Sequence, residues 1–185
     1  VIILNFFASV AMIWGQDNPS LLQMAVPSLN VAPDARGGGM GDMGAATLPD
    51  INSQYWNAAK YAFMGSKAGV SLSYTPWLRK LVNDVALVNM TGYYKLGNSD
   101  LQAISASLRY FSLGEVNIWE NIGDVPYGLN PYEMAFDVAY SRKLSESYSM
   151  AVTLRYIRSD MGTDQNDESN AGNAFSADIS GYLEK

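Results

Sequence analysis

From Ala68 onward the chain alternates apolar and polar side chains with a period of two. Val70, Leu72 and Tyr74 oppose Ser71, Ser73 and Thr75, and Pro76-Trp77 ends the run. A second run, Asp84 to Leu96, sets Ala86, Val88, Met90, Gly92, Tyr94 and Leu96 on one face. Its other face mixes Val85 and Leu87 with Asn89, Thr91, Tyr93 and Lys95, and Gly97-Asn-Ser-Asp100 is a turn signal. In the third, Ile104, Ala106, Leu108 and Tyr110 oppose Ser105, Ser107 and Arg109. The fourth and fifth place Tyr132, Met134, Phe136, Val138 and Tyr140, then Tyr148, Met150, Val152, Leu154 and Tyr156, on one face. Between them stands the short turn Lys143–Glu146. A polar stretch from Asp160 to Asn173 reads as a loop before a sixth run, where Phe175, Ala177, Ile179 and Leu183 oppose Ser176, Asp178 and Ser180. This period predicts antiparallel strands with one apolar face each.

Two architectures use such strands, a soluble β-sandwich and a transmembrane β-barrel. The runs reach about 10 residues, the length a tilted strand needs to cross hydrocarbon, whereas soluble strands average about 5 or 6. Tyrosines close the apolar faces at Tyr132 and Tyr140 and at Tyr148 and Tyr156, as in the aromatic girdles of outer-membrane barrels. Short connections (97–100, 143–146) alternate with longer ones (75–83, 113–131, 160–173), which also fits a barrel. The expected fold is all-β, a transmembrane antiparallel barrel. Six strands are fewer than the roughly 8 of the smallest such barrels, so the barrel is expected to continue beyond Lys185.

Ahead of the strands, Val1 to Ile13 is an apolar run too short for a spanning helix, which needs about 20 residues. It reads as a secretory signal peptide, 1–15, truncated at its front; a buried N-terminal strand is the alternative. Residues 16–66 form an N-terminal extension, with 18–31 extended or irregular, and 67–185 hold the strands. Within the extension, Gly39-Met-Gly-Asp-Met-Gly44 formally fits the dinucleotide fingerprint G-x-G-x-x-G. That motif needs a buried strand before it and an acid about 20 residues on. Ala32-Pro-Asp-Ala-Arg36 is no such strand, and Met64 stands where the acid belongs. The glycines instead predict a sharp turn or close approach to a neighbouring wall.

Composition narrows the chemistry. Net charge is −6 with 16% charged residues and no basic patch, which argues against a nucleic-acid partner. The chain has no cysteine and no histidine. Thiol catalysis, Cys/His zinc sites and a Ser-His-Asp triad within it are therefore excluded. Asp164-Gln-Asn-Asp-Glu168 lacks the glycine and closing glutamate of a calcium loop and reads as a solvated acidic loop. No cofactor or metal is expected.

Three groups of residues carry candidate interactions. In the loop after Leu113, Glu115, Val116, Ile118, Trp119, Ile122 and Tyr127 mix apolar groups with acids, which suggests a protein-binding rim or packing among loops. Arg109, Glu133, Asp137, Arg155 and Asp178 fall on the polar face, as a wall-stabilising charge network or a ligand site. Asp34, Arg36, Gly37, Gly38, Gly39, Gly41, Gly44, Trp56 and Asn57 form a plug-like or hatch stretch at the periplasmic end or in the lumen.

The succession Asp34-Ala-Arg-Gly-Gly-Gly-Met-Gly-Asp-Met-Gly-Ala-Ala-Thr47, Asn52-Ser-Gln-Tyr-Trp-Asn57, Gly69-Val-Ser-Leu-Ser-Tyr-Thr-Pro-Trp-Leu78 and Ala106-Ser-Leu-Arg-Tyr-Phe-Ser-Leu-Gly-Glu115 resembles the PorV family. These are outer-membrane barrels of the Bacteroidota type IX secretion system, within the wider FadL-like group. Ala58 departs from the pattern, since FadL-like relatives carry Pro after the Asn. The resemblance implies a non-catalytic barrel of 14 strands, of which this chain holds the first six. It also implies partners: secreted cargo bound through its C-terminal signal domain, translocon and sortase-complex proteins, and outer-membrane lipid. The alternatives are FadL-like passage of hydrophobic compounds, with the glycine-rich stretch as hatch, and lipid A deacylation, whose serine usually needs a His that this chain lacks.

Overall fold

The computed structural model describes residues 26–77, 84–97, 101–118, 127–163 and 169–184. The predicted signal segment and the acidic run 164–168 lie outside them. Six long strands form one antiparallel sheet: β1 (Ala68–Pro76), β2 (Val85–Leu96), β3 (Gln102–Leu113), β6 (Tyr132–Lys143), β7 (Tyr148–Thr163) and β8 (Ser169–Leu183). Sheet order follows chain order, as a meander requires, and β1 and β8 stand at its two edges. A separate hairpin, β4 (Val116–Ile118) with β5 (Tyr127–Leu129), rises within the connection expected as one long loop.

The polar stretch 160–173 is a second departure from expectation. It is mostly strand: β7 and β8 stay paired to Asp160 with Ala171 and resume at Thr163 with Ser169, with a register irregularity between. The ladder there is carried by backbone pairing between two long neighbours, so side-chain patterning alone under-reads it.

Burial is inverted relative to a soluble sheet. Large apolar side chains are exposed in register rows, such as Leu72, Met90, Leu108 and Phe136 on adjacent strands. The opposite face buries Asn89, Thr91, Lys95, Ser105, Ser107, Arg109, Glu133, Asp137, Ser141, Ser149 and Thr153. Water-facing sheets with one buried face place the apolar residues inward. Here the polar face is inside.

That polar face is covered by residues 26–66. The segment runs through a 3₁₀ turn (Pro27–Asn30), α1 (Ala35–Gly39), α2 (Ser53–Trp56) and a 3₁₀ helix (Ala58–Phe63). The last of these lies over small inward residues of the sheet. Ala103, Ala139 and Ala151 join Ala58, Ala59, Tyr61, Tyr93 and Tyr182 in a hydrophobic cluster. Alanines on the strands leave room for the helix, and Tyr61 stacks on Tyr93 with centroids 4.9 Å apart. No helix among the described residues is long and apolar enough to cross a membrane, which says nothing of strands.

Candidate functional site

The covering segment is tied to every long strand. From β1, Ser73 Oγ donates to the carbonyl of Pro33, and on β2 the Tyr93 and Ser66 hydroxyls are bonded. Ser105 of β3 donates to Gln54 Oε1 at 2.5 Å, and Ser149 of β7 to the Ala59 carbonyl at 2.7 Å. Asn57 Nδ2 donates to the Gly181 carbonyl of β8 at 3.0 Å. Inward-facing serines of the sheet thus donate to carbonyl oxygens of the irregular segment, which must be satisfied once buried.

At the end carrying the β4–β5 hairpin, two charged side chains hold a single residue. Arg109 Nη1 donates to the Ser28 carbonyl at 3.0 Å, and the Ser28 amide donates to Glu133 Oε2 at 2.9 Å. Arg109 and Glu133 are 4% and 1% exposed, so each charge is desolvated, and each meets a main-chain group of the same residue, Ser28. The Arg109 guanidinium also lies 4.4 Å from the Tyr55 ring centroid, and Tyr55 Oη donates to the Leu29 carbonyl at 3.0 Å.

The other three polar-face candidates form a separate chain across the strands. Arg155 Nε donates to Asp137 Oδ1 at 2.5 Å, Ser107 Oγ donates to Asp137 Oδ2 at 3.0 Å, and Arg155 reaches Asp178 at 3.8 Å. Asp178 is about half exposed, so its link is the weak one.

The glycine-rich stretch folds around Trp56. Asp34 caps α1, accepting from the Gly37 amide at 2.7 Å, and with its other oxygen accepts from Trp56 Nε1 at 3.1 Å. A Cβ on Gly37 would stand 2.6 Å from Trp56 Cζ2, and one on Gly44 would stand 2.1 Å from Trp56 Cδ2. The close approach expected toward a wall is therefore made to an indole within the segment itself. Gly41 turns the chain with φ 73°, while Gly38 and Gly39 are uncrowded. Arg36 pairs with Asp50 at 3.0 Å on the surface. Asn57 caps the 3₁₀ helix, accepting from the Ala59 amide at 3.0 Å; Ala58 occupies its first position, where a proline would also fit.

Sequence reasoning passed over Lys60 and Tyr61. Lys60 is fully buried, with Nζ donating to the Gly44 carbonyl at 2.9 Å and to Thr47 Oγ1 at 3.2 Å. Burial pushes its pKa down and pushes the Tyr61 phenol up. Tyr61 Oη accepts from the Gln54 amide at 2.9 Å and donates to the Ile51 carbonyl at 2.8 Å. A signal existed in Asn57-Ala-Ala-Lys-Tyr-Ala-Phe63, where one lysine stands in an otherwise small and aromatic run. Of the loop candidates, Val116 is exposed in β4, Glu115 packs on Gly128, and Ile118 and Tyr127 pair in the hairpin backbone. Trp119 and Ile122 lie outside the described residues. Among the described residues no cluster of acidic side chains is placed to hold a metal ion.

Residues 15–185 match the family model described as type IX secretion system protein PorV. The chain belongs to the PorV family. The match runs through both the covering segment and all six long strands, so the two parts described above are one family unit. PorV is a protein family of a secretion system rather than of an enzyme class. No curated protein matches the chain.

Proposed function

We propose that this PorV-family chain contributes the first six strands of an outer-membrane β-barrel that receives secreted proteins and hands them to the surface attachment machinery. The observation that carries the membrane part is the inverted sheet, apolar outside and polar inside. An apolar face this broad suits hydrocarbon, and the polar face suits a lumen filled by the protein's own segment. Backbone groups at the β1 and β8 edges would each cost several kcal/mol in lipid, so further strands close the barrel. A FadL-like barrel of 14 strands meets that need.

Along the strand, Tyr132 to Tyr140 spans about 26 Å at roughly 3.3 Å per residue. With a tilt near 40° this gives about 20 Å between aromatic ends, close to the roughly 25 Å apolar band of outer-membrane barrels. The secretion role rests on family membership and on the stretch from Glu115 to Tyr127, where Val116, Ile118, Trp119 and Ile122 mix with acids in the sequence. In this reading the barrel binds cargo through its C-terminal signal domain, works with translocon and sortase-complex partners, and catalyses nothing. Replacing Trp119 and Tyr127 with Ala in the full-length protein should cut co-purification of a secreted substrate about tenfold or more, as anchor aromatics do. Unchanged recovery from an intact barrel would remove this loop from the contact.

A second reading, passage of hydrophobic compounds, draws on the segment lying across the polar face like a hatch. It predicts binding of an apolar ligand by the full-length barrel, and no binding would reject it.

A further inference from the structure

The outward face of the sheet is apolar, with charge confined to its two ends. Among the described residues its row positions hold three charged side chains. Arg142 stands at the end of the short turns, and Arg158 and Asp160 stand at the end of the β4–β5 hairpin. Arg158 Nε donates to Tyr132 Oη at 3.2 Å, and Tyr110 stacks on Tyr132 with centroids 5.5 Å apart. Next to Arg158, toward the middle of the sheet, runs the row Phe136, Tyr156 and Phe175. Arg158 Nη2 meets Asp160 Oδ2 only at 3.5 Å, and 36% of the Arg158 side chain stays exposed. That contact is too long for a bidentate pair, so the guanidinium keeps donors for a second anion.

The ligand follows from the order of these groups along β7. Going outward past Leu154 and Tyr156, the strand presents an apolar row, then the cation Arg158, then the anion Asp160. A phospholipid carrying ethanolamine has the complementary order: acyl chains, phosphate, ammonium. Arg158 and Asp160 stand two residues apart, about 6.6 Å along a strand, within reach of the short ethanolamine spacer. The planar guanidinium matches a phosphate. The Asp160 carboxylate, with about four acceptor sites, can take ammonium protons besides its present contact. Tyrosines such as Tyr110 and Tyr132 are the usual neighbours of lipid head groups. A choline group has no N–H to donate, and a glycerol head group would offer Asp160 only a neutral hydroxyl.

We propose that Arg158 and Asp160, with Tyr132, hold the head group of a phosphatidylethanolamine-type lipid on the outer face of the barrel. The proposal rests on the barrel reading above and deepens it, naming a lipid for one place beside the apolar face. Its test is native mass spectrometry of the full-length protein in detergent. The probes are equal amounts of phosphatidylethanolamine, phosphatidylcholine and phosphatidylglycerol with the same acyl chains. The wild-type protein should retain the ethanolamine lipid about threefold or more over each of the others. Arg158→Gln should lower its retention about tenfold, and Asp160→Asn should erase its preference. Arg142→Gln, at the opposite end, should leave that preference unchanged. Equal retention of the three lipids by the wild-type protein would overturn the site whatever the variants do, and would leave the barrel reading intact. An unchanged preference in Arg158→Gln and Asp160→Asn, or an equal loss in Arg142→Gln, would overturn it as well. Retention of no lipid at all would overturn the barrel reading and the site with it. Free O-phosphoethanolamine in the same amount should not displace the lipid; displacement would mark a site for a soluble ligand and reject the lipid.

Discussion

Gly44 and Gly37 are fixed by the indole of Trp56 rather than by any bound phosphate. An added methyl at Gly44 would collide with the ring at 2.1 Å, so Gly44→Ala should cost about 1–3 kcal/mol, read as a lower midpoint of thermal unfolding. Gly39 has nothing within 4 Å of a hypothetical Cβ and lies in α1, so Gly39→Ala should instead stabilise by about 0.4–1 kcal/mol. Lys60 and Tyr61 give the same region a pH signature. Lys60 titrates below its ordinary 10.5 when folded, so the unfolded chain binds that proton more firmly and stability rises with pH until about 10.5. Tyr61 titrates above its ordinary 10.0, so the unfolded chain loses its proton first and stability falls as pH climbs past about 10. Shielding of Trp56 fluorescence from iodide, taken against Trp56→Phe, should therefore improve as pH rises toward about 10 and decline above it. In Lys60→Met the rising arm should vanish; a rise that persists would assign it to another group.

At the scale of elements, the covering segment is held at two separable points. One is the apolar seat of the 3₁₀ helix Ala58–Phe63, and the other is the grip of Arg109 and Glu133 on Ser28. Arg109→Ala should free the start of the segment without unseating Tyr61. Hydrogen bonds to charged groups contribute about 1.5–3 kcal/mol, which corresponds to roughly ten- to hundredfold faster amide exchange at Ser28 and its neighbours. Equal acceleration through Tyr61 would mean that the segment comes off as one unit.

The strands were legible because alternation at Val70, Leu72 and Tyr74, or at Phe136, Val138 and Tyr140, has no other reading at that length. The placement of Arg109, Glu133 and Asp137 on the covered face followed from the same period. The hairpin of β4 and β5 was not legible, since three-residue strands carry too little pattern. The short helices of the segment were hidden for a different reason. Their stability comes from caps such as Asp34 and Asn57 and from packing on the sheet, not from local propensity in a run of glycines.

For the molecule as a whole, the proposed barrel requires the apolar face of the sheet to meet lipid. Leu108, Val138 and Leu154 are exposed on the outer face, Tyr140 lies toward one end of it, and Leu144 is exposed in a turn. The chain has no cysteine, so single cysteines at these positions can each carry a spin label. The direct measurement is collisional relaxation of those labels, in the full-length protein in bilayers, by oxygen and by a water-soluble nickel chelate. Labels at 108, 138 and 154 should respond strongly to oxygen and weakly to nickel, the label at 140 should be intermediate, and the label at 144 should respond to nickel. Strong nickel relaxation at 108, 138 and 154 would place the apolar face against water or another soluble surface and contradict the barrel.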